Sequence, residues 1–158
     1  MTERNKLLKK VLVVVAHVAS IPVYFVYELF VRLINGKGAP IPPDIRARVE
    51  PYISDVDLDR VQLAMAARVP SGHAGLTLGW RMFINRELAA TNDDDMRLLI
   101  HELVHVRQCQ RFGRTGMMRK YGVEWARILS YNNHPLEVEA NAYEDWAFDL
   151  LRNEPNRP

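Results

Sequence analysis

Apolar and polar positions along the chain fall into three regimes. Residues 11–27, VLVVVAHVASIPVYFVY, contain no Asp, Glu, Lys or Arg, and they follow Arg4, Lys6, Lys9 and Lys10. A run of this length sits at the lower edge of what spans a bilayer; extending it to Ile34 brings in Glu28 and Arg32, spaced to pair one turn apart on a helix. Pro22 predicts a kink in any helix formed here. Three fates are open: an uncleaved membrane anchor, a helix packed on the domain or lying in the interface, or a cleaved signal ending near Ala19 and Ser20. The expectation is membrane association through residues 11–34, with an exported or a cytoplasmic protein as the alternative. Asn35–Pro43, NGKGAPIPP, is dense in Gly and Pro and reads as a linker. Residues 1–43 are thereby set apart from a domain over residues 44–158.

The second regime has period two. Val61, Leu63, Met65, Ala67 and Val69 alternate with more polar neighbours, a strand pattern over Arg60–Val69. Gly72, Gly75 and Gly79 divide two shorter strand candidates, Leu76–Leu78 and Arg81–Asn85, and together these suggest a small antiparallel sheet. From Thr91 the period becomes helical. Thr91 or Asn92 can cap, Asp93, Asp94 and Asp95 favour a helix N-terminus, and Gly113 can end the helix. A second helix is expected over Met117–Ser130, and a third from Pro135 towards Leu151. The fold class is therefore α+β.

Composition narrows this picture modestly. A chain of 158 residues, 48% hydrophobic and 25% charged, is long enough for one domain with a core. A net charge of +2 gives no general case for a nucleic-acid partner. One local excess, Arg107, Arg111, Arg114, Arg119 and Lys120, reads as a solvated surface with cations near a helix C-terminus, the alternative being a membrane-facing or substrate-facing patch. Cys109 is the single cysteine, so no intramolecular disulfide can form.

Residues 101–108 read HELVHVRQ. On a helix, His101 and His105 stand one turn apart on the same face, the arrangement two imidazoles need to reach one zinc ion. Glu102 lies about 100° around the helix, where it can accept a proton from a metal-bound water rather than serve as a ligand beside them. Met96, Leu99, Leu103 and Val106 occupy the opposite side and can pack on a core. A catalytic zinc site needs a third protein ligand and an open position. Among the remaining histidines, His17 lies in the apolar segment, His73 in a Gly-rich loop, and His134 reads as a helix cap. The stretch NHPLEVEANAYE, residues 133–144, offers Glu137 early in a helix; Glu139, on another face, is the alternate ligand. Cys109 follows His105 by one turn, but three ligands in a straight row along a helix cannot converge on one ion, so it reads as a buried structural thiol.

These motifs resemble the HExxH metallopeptidases whose third ligand is a glutamate on a later helix, the gluzincins. The branch in which that ligand opens a Glu-x-x-Ala-Asp pattern, which includes the membrane prenyl-protein and heat-shock peptidases, is the most similar. More similar still are small bacterial domains of unassigned substrate that join a Leu-Thr-Leu-Gly strand, an HELxHVxQ helix and a later Pro-x-Glu-x-Glu-Ala segment, here Leu76–Gly79, His101–Gln108 and Pro135–Ala140. The resemblance covers roughly residues 55–150. It implies that His101, His105 and Glu137 bind zinc and that Glu102 is the general base. One departure stands out: the pattern places Asp where this chain has Asn141, which orients a ligand histidine without adding charge.

The implied function is zinc-dependent hydrolysis of peptide bonds in a peptide or protein substrate, with an edge strand near Leu76–Asn85 aligning the chain to be cut. Tyr121, Tyr131, Tyr143 and His73 are the candidates for stabilising the oxyanion. The competing expectation is a membrane-associated metal-binding or scaffold domain without turnover. Oligomeric state is not legible in the sequence.

Overall fold

A computed structural model describes residues 3–153. Helix α1 (Glu3–Asn35) leads by way of an extended stretch to the short α2 (Pro43–Val49). Strands β1 (Gln62–Ala64), β2 (Gly75–Leu78) and β3 (Arg81–Ile84) follow, and then α3 (Asp93–Phe112), α4 (Arg114–Ile128) and α5 (Pro135–Arg152). The architecture is α+β, as the periodicities require. The sheet, however, is mixed: in the order β1-β3-β2, β2 and β3 are antiparallel while β1 runs parallel to β3. The expected strand over Arg60–Val69 is regular only at Gln62–Ala64, because Ala66 turns into the left-handed region at φ 50° and bends the chain away. Gly79, at φ 70°, makes the tight turn between β2 and β3 that a side chain would strain.

The sheet is covered on both faces, and strand alternation decides what each face meets. Leu63, Met82 and Ile84 point into the main core with Met96, Leu99, Leu103 and Val106 of α3. Ala64, Leu78 and Phe83 point the other way, onto Tyr24 and Val31 of α1. Arg81 shares the face of Phe83 and pairs with Glu28 of α1 at 3.2 Å; Arg114 at the start of α4 pairs with the same carboxylate. The Gly/Pro stretch is held as well, since Ala39 exchanges backbone hydrogen bonds with Leu63 at 2.9 and 2.7 Å.

The helix boundaries follow their caps. The Asn92 side chain accepts from the Asp94 and Asp95 amides at 3.0 and 3.3 Å, and Gly113 ends α3. Helix α4 begins three residues earlier than its apolar pattern suggests, at Arg114, directly after that glycine. Helix α5 packs along α3 through Ala140 and Ala147, whose small side chains let the two backbones approach closely. That approach positions the candidate metal-binding group.

Candidate metal centre

Helix α3 carries an apolar side into the core, so His101 and His105 emerge on its other side, towards α5. Pro135 and the His134 cap fix the start of α5. The His134 Nδ1 accepts from the Leu136 amide at 3.3 Å, and its Nε2–H donates to the Tyr121 carbonyl at 3.1 Å. Glu137 thus falls in the first turn of α5, facing α3. The structure brings His101, His105 and Glu137 together: His101 Nε2 and His105 Nε2 are 3.2 Å apart, and Glu137 Oε2 lies 3.6 and 3.4 Å from them. Among the described residues, this is the group whose ligand atoms converge, all within 4.8 Å, in a manner that could hold a metal ion.

The hydrogen atoms of these groups are assigned by their other partners. His101 Nδ1–H donates to Glu144 Oε2 at 2.7 Å. His105 Nδ1–H donates to Gln108 Oε1 at 2.9 Å, and the amide orientation of Gln108 is set by its Nε2, which donates to the Leu136 carbonyl at 2.9 Å. Both Nε2 atoms are left with lone pairs, and they face Glu137 Oε2, a buried oxygen with no hydrogen-bond donor. Three acceptor atoms this close repel one another unless a cation lies between them. A tetrahedral ion with bonds of about 2.0–2.1 Å sets its ligand atoms about 3.3–3.4 Å apart, which matches the observed triangle. The donor set, two imidazoles and a carboxylate, suits zinc.

Without a metal, protons supply the charge. Burial pushes His101 down, but hydrogen bonding to Glu137 and Glu144 more than offsets this and raises it to about 10. His105 is raised in the same way, by Glu137 acting against burial. Burial favours the neutral form of Glu137, but the two histidines and Tyr131 hold its carboxyl well below the usual carboxylate range.

Glu102 stands outside the triangle and is buried. Its Oε2 accepts from Thr77 Oγ1 at 2.6 Å. Its Oε1 lies over Gly75, where an added Cβ would come within 2.3 Å of that oxygen. Gly75 and Thr77, two apart on β2, therefore form the wall against which this carboxylate is held, one supplying a donor and the other space.

Several partners are not those the sequence suggests. Asn141 is exposed, and the side chain that orients His101 is Glu144, two turns after Glu137 on the same side of α5. Arg97 Nε donates to Glu144 Oε1 at 2.5 Å. Burial alone would raise Glu144, but His101 and Arg97 lower it, so the charged form orients the ring. Gln108 closes the quoted HELVHVRQ motif, and its spacing of three from His105 was the available signal for its role. Glu144 had none beyond helical phase.

Tyr121 donates to Glu137 Oε1 at 3.3 Å and so steadies a candidate ligand. Tyr143 lies elsewhere, donating to the Tyr52 carbonyl at 2.5 Å. Tyr131 and His73 are exposed and stack at 5.1 Å, joining the loop before α5 to the loop before β2. Glu139 pairs with Arg111 at 3.0 Å, His17 is exposed on α1, and Cys109 is buried with Met117 and Leu136. Of the basic cluster, Arg107, Arg111 and Arg114 are paired with acids.

A family model, the eCIS core domain, matches residues 40–113. The matched segment contains β2 and α3, with His101, Glu102 and His105; Glu137 and Glu144 follow it in the chain. No curated protein and no solved structure matches the chain.

Proposed function

We propose that the chain is a zinc-dependent metallopeptidase associated with a membrane through α1. The observation that supports turnover, rather than metal binding alone, is the environment of Glu102. A structural site has no use for a second buried acid beside Glu137, yet Thr77 fixes one oxygen of this carboxylate while Gly75 leaves room at the other. His101, His105 and Glu137 would hold the ion, with Glu144 and Gln108 keeping both Nε2 lone pairs aimed inward. Bound zinc supplies Lewis acidity, polarising a carbonyl and lowering the pKa of its water to about 7.

The remaining work falls to the chain's own groups. Glu102 Oε1 takes the proton of the attacking water and delivers it to the leaving amine nitrogen. Thr77, by holding Oε2, keeps Oε1 in place as the proton arrives. Strand β2 is an edge strand of the sheet, so an extended peptide would pair along it. His73 and Tyr131, stacked and exposed, would donate to the substrate carbonyl.

One observation favours a second reading, a metal-binding scaffold without turnover: the three ligand atoms tie α3 to α5, as a structural staple would. A single experiment separates the two. Wild-type protein and Glu102→Gln, each loaded with about one zinc per chain, are compared for cleavage of an unstructured protein substrate. The peptidase reading expects equal zinc content and loss of cleavage in the variant. Equal cleavage by both, or none by the zinc-loaded wild type against a broad peptide library, overturns it.

A further inference from the structure

The two sides of α1 are reversed relative to an ordinary surface helix. Ser20, Tyr24, Glu28 and Arg32, each four residues apart, form a polar ladder turned towards the protein. Glu28 is only 2% exposed, and buried polar atoms of Ser20, Tyr24 and Arg32 lie on the same side. The opposite side presents Val11, Val15, Val18, Val26, Leu29 and Leu33 to the outside, with Val18 and Val26 72% and 71% exposed. Over Leu7–Asn35 the helix is long and apolar enough to cross a membrane or to act as a signal sequence. A helix that keeps its polar side for the protein and offers its apolar side outward is matched to an apolar surrounding medium.

Charge selects that medium. Among the described residues, the outward side between Val11 and Leu33 carries no acidic group, while Lys9 and Lys10 before it and Lys37 after it are exposed. Basic groups at both ends of an apolar surface suit an anionic lipid headgroup layer.

Packing then decides the orientation. The uncharged run, residues 11–27, is about 26 Å long as a helix, short of a hydrocarbon core of about 30 Å. The Ala16–Ser20 turn of that run is also in contact with α4: a Cβ added at Gly122 would lie 2.7 Å from the Ser20 Cβ. Inserting the run across a bilayer would take α4 with it, including Arg119, Lys120, Glu124 and Arg127. Extending the span towards Ile34 would take in Glu28 with Arg81 and Arg114. Neither is compatible with a hydrocarbon interior.

We infer that α1 is an in-plane membrane-docking surface: it lies along the headgroup boundary of an anionic bilayer, its Val11–Leu33 side in lipid and its polar ladder fixed to the domain. This rests on the membrane association proposed above and specifies its geometry. The domain, and the metal centre with it, is thereby held at a set height beside the membrane surface rather than tethered at the end of an anchor.

The test uses the full chain with phosphatidylcholine vesicles, with and without phosphatidylserine. Wild type should float with the phosphatidylserine vesicles. The double variant Val18→Asp, Val26→Asp should lose at least roughly tenfold in binding, because two outward valines that would enter lipid become charged, while its zinc content stays unchanged as a check on folding. Fluorophores attached through Val11→Cys, Val18→Cys, Val26→Cys and Leu33→Cys should report one shallow depth when quenched by lipids labelled at different depths. A graded profile, deepest at the middle positions, overturns the in-plane geometry and leaves membrane association standing. Absence of flotation overturns both. A dimer formed without vesicles and dispersed by the double variant would assign the surface to a second copy of the chain and also overturn the inference.

Discussion

Helices α1 and α3 are the two longest in the molecule, at 33 and 20 residues, and both have two chemically distinct sides. In α3 the apolar side, Met96, Leu99, Leu103 and Val106, faces the core, and the polar side holds the candidate metal centre. In α1 the arrangement is inverted, with Glu28 towards the sheet and Val18 and Val26 outward. Amphipathic periodicity therefore shows that a helix has two sides, but not which one the protein covers. That depends on the neighbours: α3 meets the apolar face of Met82 and Ile84, whereas α1 meets the face that also carries Arg81.

A charge placed on the apolar side of α3 should have the largest effect of any single change on either helix. Leu103→Asp buries an unpaired carboxylate in the core and should leave no folded protein at room temperature, as read by circular dichroism. On the inverted helix the costly change is instead the loss of a charge. Glu28→Ala leaves the partly exposed Arg81 and Arg114 without their acid and should destabilise by about 1–3 kcal/mol. A chemical denaturation midpoint within error of wild type would mean that the Glu28 pairings do not hold α1 to the domain. Deleting residues 1–40 should likewise yield aggregates rather than a soluble zinc-binding domain, because it uncovers Leu78 and Phe83.

The next effects sharpen what the polar side of α3 does. Glu144→Gln keeps the shape of the partner to His101 but removes its charge, and zinc affinity measured by chelator competition should fall about 10–100-fold. Asn141→Asp, exposed and apart from the histidines, should leave affinity unchanged; a marked gain would restore residue 141 as the orienting group. Gly75→Ala should cost about 1–3 kcal/mol by crowding Glu102 and should abolish cleavage while zinc stays bound. Retained cleavage would show that the carboxylate does not need its present position.

The centre also sets a pH dependence whose sign differs with and without metal. With His101 raised to about 10 and His105 raised as well, zinc must displace at least one proton, so affinity should increase at least about tenfold per pH unit between about pH 6 and 8. In the metal-free chain, the raised His101 stabilises fully below its ordinary value of 6.5 and loses that contribution as pH rises towards about 10. The lowered Glu137 stabilises above its ordinary 4.5 and loses its contribution in acid. Metal-free protein should therefore be most stable between pH 4.5 and 6.5, and zinc-loaded protein at higher pH; thermal melts of both forms across that range check it. The smallest effect belongs to the outward side of α1, where Val26→Asp in vesicle-free solution should change stability by less than about 0.5 kcal/mol.

Features that depend on neighbours along the chain were legible from the amino-acid order. The α3 limits are local because Asn92 and Gly113 act on adjacent backbone groups, and the spacing of His101, Glu102 and His105 fixes their relative directions once the helix forms. The short strands expected at Leu76–Leu78 and Arg81–Asn85 were legible for the same reason, since Gly75 and Gly79 punctuate the chain locally. Tertiary structure decided whatever depends on which elements meet. Nothing local makes β1 parallel to β3, selects Glu144 over Asn141 as the partner of His101, or requires Gly75 to be free of a side chain; those follow from α5 lying against α3 and β2 lying against Glu102. The same holds for α1, whose pattern shows where its polar and apolar sides are, while the Arg81 and Arg114 guanidiniums, distant in sequence, turn the polar side inward because a buried charge must find its counter-charge wherever the fold has placed one.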